Sequence, residues 1–255
     1  MAAEPARTSE DAVLGGRLLL RQPRQGHRVG HDAILLAAAC SARPGDHVVD
    51  LGAGVGAAGL AVARRIEDVT VTLVEIDSGL AALARENAAR NVLAKRARAV
   101  CLDVTASAAA FAAAGLAAGS VDHVLMNPPF NVGQRPSPDH GRRLAHSAAH
   151  DTLAQWLGAA ARLLRPAGAV TLIWRADGLA DVLASLSADF GGIAVLPVHP
   201  KPDMPAIRVL IRAAKASRAP LSLWPGFFLN DVAGRPTAEA EAVLRGTSLL
   251  PLAEN

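Results

Sequence analysis

Residues 127–130, Asn-Pro-Pro-Phe, close a short apolar run, Val-Asp-His-Val-Leu-Met. Their types and order suit one kind of chemistry. Asn127 brings a side-chain carbonyl and Pro128 a backbone carbonyl, and both accept hydrogen bonds. Two adjacent acceptors match a group with two hydrogens, such as the exocyclic –NH₂ of an aryl ring or an amide. Such a nitrogen has a delocalised lone pair and is a poor nucleophile. Drawing its hydrogens toward tetrahedral positions concentrates the lone pair on the attacking atom, which is catalysis by positioning and preorganised electrostatics. The prolines stiffen the corner: Pro128 and Pro129 have no ladder N–H, and Asn127 is held out of the helical region. Phe130 offers a flat face to a flat substrate, for example an unstacked base. A proline turn that merely follows a strand is the plain alternative.

An activated amine needs an electrophile, and residues 48–60, VVDLGAGVGAAGL, offer a place to hold one. Gly54-x-Gly56-x-x-Gly59 satisfies the dinucleotide fingerprint, and Glu75 follows at the spacing of a ribose-binding acid. The same stretch also reads Asp50-x-Gly52-x-Gly54-x-Gly56, which resembles the first motif of S-adenosylmethionine-dependent methyltransferases. In both cases glycines let the backbone pass close to a ligand at the sheet's switch point. A pyrophosphate gains nothing from an acid two residues before the first glycine. S-adenosylmethionine carries an ammonium and a sulfonium, so Asp50 favours it. Glu75 can accept from two ribose hydroxyls. Asp103 can accept from an adenine amino group, with Ile76 against the ring and Val104 beside it. Arg28, on a loop near the N-terminus, completes the candidate cofactor set with Asn127. Acids at strand ends are often simply solvated, but three consecutive strands here end in one.

The elements that must position these residues follow from periodicity. Apolar, β-branched runs at 47–51, 69–77, 97–103, 121–127 and 169–174 alternate with helical patterns at about 57–66, 79–91, 151–168 and 177–190. That alternation predicts right-handed crossovers and a mostly parallel sheet with helices on both faces. The runs 192–200 and 206–213 predict a closing antiparallel pair at the sheet edge. Before this unit stand a loose start, a short strand at 17–21, a Gly- and Arg-bearing loop, and a helix from about Asp32 to Ala42, whose start Asp32 favours. Asp151 is placed to cap the helix that follows a polar loop at 133–147. We divide the chain into an extension, residues 1–42, and a single globular unit, residues 43–255; the resemblance to methyltransferases implies that the extension caps the cofactor site and that the unit is the methyltransferase domain.

Bulk properties limit the alternatives. The 255 residues are 51% apolar, enough for one large domain, and 26 Lys+Arg against 23 Asp+Glu give a net charge of only +3. Arg24 and Arg28 near the N-terminal loop, and Arg135, Arg142 and Arg143 after the Asn-Pro-Pro-Phe corner, are placed to rim the pocket and meet RNA phosphates. Lys201, Arg208, Arg212, Lys215 and Arg218 lie near the closing strands. Cys40 and Cys101 sit in apolar runs with no metal or redox spacing, as expected of buried thiols in a reducing compartment. His146 and His150 are four residues apart but have no third partner, so no metal is expected. No stretch approaches the length of a membrane helix and no secretory signal is evident, so a cytoplasmic location and no membrane partner are expected.

Taken in order, QPRQGHRVGHDAILLA (22–37), VVDLGAGVGAAGL, VEID, MNPPF and the tail 206–246 resemble a family. The chain is similar to class I S-adenosylmethionine-dependent amino-methyltransferases with an (N/D)PP(Y/F) motif. Within them it is most similar to the bacterial tRNA adenine-N6-methyltransferases that act beside the anticodon of a valine tRNA. The resemblance implies a Rossmann-like, seven-stranded α/β sheet and S-adenosyl-L-methionine as donor, with S-adenosyl-L-homocysteine as product. It also implies an RNA substrate, tRNA before others, with in-line methyl transfer at the corner of Asn127, Pro128, Pro129 and Phe130. Phe130 stands where that family often has tyrosine. Protein glutamine N5-methylation, rRNA guanine-N2-methylation and a non-catalytic nucleic-acid-binding role are the other readings. An NAD-dependent oxidoreductase leaves residues 127–130 unexplained in a chain without tyrosine.

Overall fold

Short strands and Ala- or Leu-rich helices alternate from residue 47 onward, and their right-handed connections stack the strands into one sheet. The computed structural model describes residues 8–25, 28–129 and 140–254, with the backbone alone over 140–150. The order is β1 (Thr8–Val13), β2 (Leu18–Pro23), α1 (His31–Ala38), β3 (His47–Leu51), α2 (Ala57–Arg65), β4 (Thr70–Glu75), α3 (Ser78–Arg90), β5 (Ala97–Cys101), α4 (Ala108–Ala113) and β6 (Val121–Met126). It continues with α5 (His140–Leu163), β7 (Leu164–Arg175), α6 (Leu179–Leu186), β8 (Phe190–His199), β9 (Arg208–Lys215), β10 (Ser222–Leu223), β11 (Phe227–Phe228) and α7 (Ala238–Leu244).

The main sheet runs β10-β8-β9-β7-β6-β3-β4-β5, with β11 also paired to β8. This is the expected α/β architecture with a mostly parallel sheet. Nine strands, rather than seven, join it among the described residues, and the two extra strands are two residues long. The antiparallel strand is not at the edge as expected. β9 lies between β7 and β8 and runs antiparallel to both. Its composition explains the placement: Val209, Leu210, Ile211 and Ala213 are all buried, and a run buried on both faces belongs inside a sheet. β8 takes the outer place and carries Pro197, which has no N–H to donate. β10 pairs with residues 194–195 and β11 with residues 198–199, so the break in this outer pairing falls at the proline.

Each face of the sheet has its own core. One gathers Leu35, Leu36, Leu60, Val62, Leu73 and Val243 under α1, α2 and α7. The other gathers Leu51, Phe111, Leu153, Leu157, Leu163 and Val182 under α4, α5 and α6. The start of the chain is more ordered than its polar sequence suggests. β1 and β2 form an antiparallel hairpin, and Leu14, Leu18 and Leu20 belong to the first core. Two buried asparagines four residues apart, Asn87 in α3 and Asn91 at its C-cap, hold β2 by its backbone. Asn91 Oδ1 accepts from Leu19 N at 2.9 Å while its Nδ2 donates to Leu19 O at 2.7 Å. Asn87 Oδ1 accepts from Arg21 N at 2.7 Å while its Nδ2 donates to Arg21 O and to Val55 O, both at 3.0 Å.

Three local expectations change. α5 begins at His140, so Asp151 lies inside the helix and does not cap it, and 140–147 is helical rather than loop. The stretch from Gly141 to His150 holds three Ala and two Arg, whose helix propensity carries the helix past the local capping signal of one Asp. Asp32 sits in the first turn of α1 without capping it; the N-cap is Gly30. Of the two thiols, Cys40 is buried and Cys101 is exposed, because β5 is the outermost strand. Among the described residues no helix is long and apolar enough to cross a membrane.

Candidate active site

The carboxyl ends of β3, β4, β5 and β6 lie side by side, and the residues that follow them form the site. After β3 the chain turns through Gly52, Gly54 and Gly56, all at positive φ, where a side chain is strained. Gly59, in α2, has a packing reason: a Cβ there would lie 2.4 Å from Leu73 Cδ2 and 2.9 Å from Val71 Cγ1. The helix therefore sits directly on β4. Two acids fasten this loop. Asp50 Oδ2 accepts from Gly59 N at 2.9 Å. Glu75 Oε2 accepts from Gly54 N at 2.8 Å, and its Oε1 accepts from Asp77 N at 2.9 Å. Each Glu75 oxygen keeps a further lone pair.

Between this loop and the N-terminal segment lies a cavity of about 290 Å³. Its walls include Arg28, Asp32, Asp50, Gly52, Gly54 and Asn127. Two of these groups are out of their ordinary state. Asp50 is 3% exposed, and burial, together with the neighbouring Glu75 charge, pushes its carboxyl up to about 7 against the Gly59 hydrogen bond. Asn127 Oδ1 is buried and has no hydrogen-bond partner among the described residues. A buried carbonyl oxygen left unpaired is costly, and such an atom in a cavity wall is a place where a ligand donor fits. A buried acid and an open acceptor suit a cationic amino-acid end and an incoming amine. The residues present therefore fit S-adenosylmethionine, with Asp50 and the glycine loop as the groups that would hold it.

The remaining predicted residues fall around this cavity rather than in it. Gly56 is the left-handed residue before α2. Ile76 is 64% exposed just beyond β4, a large apolar side chain on open surface. Asp103, also exposed, accepts from the N–H and hydroxyl of Thr105, both at 2.8 Å, and Val104 is buried beside it. Together these make a ledge at the ends of β4 and β5, next to the cavity at the end of β3. Pro128 is buried and Pro129 exposed. Phe130 and Arg135 lie outside the described residues, as do the side chains of Arg142 and Arg143. Arg28 lines the cavity while its Nη2 donates to both oxygens of Asp11, at 2.9 and 2.8 Å. Arg24 lies apart from the walls, its Nε donating to Thr8 O at 3.1 Å.

Other contributors were not singled out from the sequence. Asp11 of β1 is one; a hydrogen bond from the buried Gln22 side chain, then the Arg28 charge, hold its carboxyl below the usual range despite some burial. Gln22 Oε1 also accepts from Val29 N at 2.9 Å, so hairpin and loop are tied together. Asp32 accepts from Arg208 Nε at 2.9 Å, which ties α1 to β9. Trp156 of α5 is another: a Cβ on Gly52 would lie 2.3 Å from Trp156 Cη2. No short-range pattern could reveal that contact, since more than a hundred residues separate the pair.

Known proteins place the chain in a family. Residues 27–197 match the model of the family described as methyltransferase small domain. A relative from Aeromonas hydrophila, named tRNA1(Val) (adenine(37)-N6)-methyltransferase, is 32% identical over 191 residues, 74% of this chain and 77% of that one. Another of the same name from Bacteroides thetaiotaomicron is 29% identical over 187 residues, 72% of this chain and 75% of its own. Among solved structures, a protein from Agrobacterium tumefaciens described as a predicted O-methyltransferase superposes with a TM-score of 0.73 at 30% identity, covering 86% of this chain and 98% of that one. TrmN from Thermus thermophilus shares the fold, with a TM-score of 0.52 at 23% identity over 72% of this chain and 48% of its own. The fold is that of a class I methyltransferase. The chain belongs to the methyltransferase small domain family, and it is an S-adenosylmethionine-dependent methyltransferase.

Proposed function

We propose that this enzyme methylates the N6 amine of an adenine in RNA, with tRNA beside the anticodon as the first substrate to test. The observation that carries the reading is the buried, unpartnered Asn127 Oδ1 in the wall of the Asp50 and glycine-loop cavity. Its support in relatives is the activity for which the two tRNA methyltransferases above are named. When bound, S-adenosylmethionine supplies an electrophilic methyl group on a sulfonium. The chain supplies everything else. Asp50 balances the amino-acid cation, Glu75 offers its free lone pairs to ribose hydroxyls, and Ile76, Asp103 and Val104 receive the adenine end. Arg28 and the rest of residues 1–42 cap the site, with Val29, Asp32 and Leu36 already in its wall. Asn127 Oδ1 and the Pro128 carbonyl accept hydrogen bonds from the two amine hydrogens and turn the nitrogen lone pair in line with the methyl group. A hydroxyl nucleophile has one hydrogen and would leave one of these acceptors unused, so the corner suits an amine better than an alcohol.

The test uses purified protein and S-adenosylmethionine labelled in the methyl group, with total tRNA, ribosomal RNA and protein extract from a strain lacking the gene in separate reactions, followed by nucleoside and amino-acid analysis. Label in N6-methyladenosine is the expected result. Label in N2-methylguanosine of ribosomal RNA or in N5-methylglutamine of protein, with none in tRNA, would replace the substrate and keep the chemistry.

A further inference from the structure

A second cavity, of about 390 Å³, opens at the opposite edge of the sheet, where the parallel strands begin. Arg43, Asp46, His123, Arg165 and Arg212 line it, and the rest of its lining is small, with Ala167, Ala169, Ala214 and Gly192 leaving the space open. His123 and Asn127 belong to one extended segment four residues apart, so the cavity lies roughly 13 Å from the catalytic corner. S-adenosylmethionine carries no phosphate, and the methyl-transfer reading needs nothing from this edge.

Three guanidiniums here face one lining carboxylate. That carboxylate is already engaged: Asp46 Oδ2 accepts from Arg43 N at 2.7 Å and lies 3.1 Å from His123 Nε2. His123 is 9% exposed, and its Nδ1 is buried with no partner among the described residues. Arg165 pairs through Nε with Asp122, while half of its side chain stays exposed. The backbone is irregular at the same place. The β6–β7 register shifts between Val121 and His123, the β8–β9 register shifts between Gly191 and Ala194, and Ala167 has a φ of 62°. Bulges and non-glycine residues at positive φ gather where a sheet edge is shaped for a ligand.

We propose that this cavity is a phosphate-binding site, formed by Arg43, Arg165 and Arg212 around His123. Planar guanidiniums match the oxygens of a phosphate in paired hydrogen bonds, and a small-residue floor admits the group between them. The phosphate is that of a small phosphorylated molecule or of an RNA backbone.

The test is calorimetric titration of the full-length protein with inorganic phosphate, with chloride at matched ionic strength as the control. Arg212→Gln and, as a variant at an exposed position, Arg43→Gln are compared with the parent, and S-adenosylhomocysteine binding reports that each has folded. The expected result is phosphate binding weakened about tenfold or more by each substitution, with S-adenosylhomocysteine affinity unchanged. No phosphate binding by the parent, or binding indifferent to both substitutions, would overturn the site. A short RNA hairpin titrated in parallel identifies the source. A weaker hairpin complex in the same variants, with a salt slope reduced by about one, supports a backbone phosphate. An unchanged hairpin complex beside weakened phosphate binding supports the small molecule.

Discussion

Two side chains in the cofactor cavity carry opposite demands, and each can be tested alone. Asn127 presents a buried acceptor with no partner among the described residues, so its removal breaks no pair among them. Asn127→Ala is expected to lower kcat/KM about 10²- to 10³-fold, the usual loss for one preorganised polar contact to a reacting group. The affinity for S-adenosylhomocysteine should stay within a few-fold, and equal loss of both would contradict the assignment. Asp50 has the other demand. Its carboxyl titrates at about 7 in the folded chain against 3.8 for the ordinary group. Between those values the folded state holds a proton that the unfolded state has released, so stability falls as pH rises through this window, by an amount on the order of 4 kcal/mol. Asp50→Asn keeps an acceptor for Gly59 N and removes the titration. From about pH 5 to about pH 8 the denaturant midpoint should fall more in the parent than in the variant, and the difference between the two slopes isolates Asp50, because His47 and His123, both held below the usual imidazole range by burial, titrate in either chain. The same pH slope in both would locate the proton elsewhere. Because cation binding favours the ionised carboxyl, the parent should also release a proton on taking up the cofactor, which buffer-dependent calorimetric heats would detect.

At the scale of elements, the site depends on how α3 fixes the first hairpin. Asn87 makes three hydrogen bonds, two to Arg21 of β2 and one to Val55 of the glycine loop. It therefore joins the cap to the cofactor loop through one buried amide. Asn87→Ala would leave three backbone groups unpaired and is expected to cost about 2–4 kcal/mol. It should also weaken S-adenosylhomocysteine binding, although Asn87 is absent from the cavity wall; a stability loss with unchanged affinity would mean that the hairpin and the loop are independent. This link also marks the limit of what could be read in advance. The strands from 47 to 126 were legible because each is a β-branched run between turn signals, and Asp50, Glu75 and Asn127 were legible because they follow such runs. β1 was not, since TSEDAV has no apolar period and is strand only because β2 and Arg28 give its backbone and Asp11 their partners. The interior position of β9 was not legible either, because strand order depends on pairings across the sheet and not on local pattern. Trp156 against Gly52 belongs to the same class of long-range fact.

For the whole molecule, the question is whether the cap and the sheet respond to the cofactor as one body. Leu14, Leu18 and Leu20 of the hairpin share a core with Leu35, Leu60 and Leu73, and the cavity takes its walls from both sides. The Asp32–Arg208 pair adds a tie from α1 to the far part of the sheet. A ligand held at that seam binds only the folded chain, so S-adenosylhomocysteine at about one hundred times its Kd should add about 2.7 kcal/mol. For a chain of this size that corresponds to a rise in Tm of roughly 5–10 °C. Hydrogen exchange then separates two designs. If cap and sheet close on the ligand together, amides of residues 28–36 and 50–59 should gain protection by a similar factor. Both segments are continuous with the shared core and cannot open fully without exposing it. If only 50–59 slows, the N-terminal segment is a wall that the ligand does not need, and the role proposed for residues 1–42 falls while the methyltransferase assignment stands.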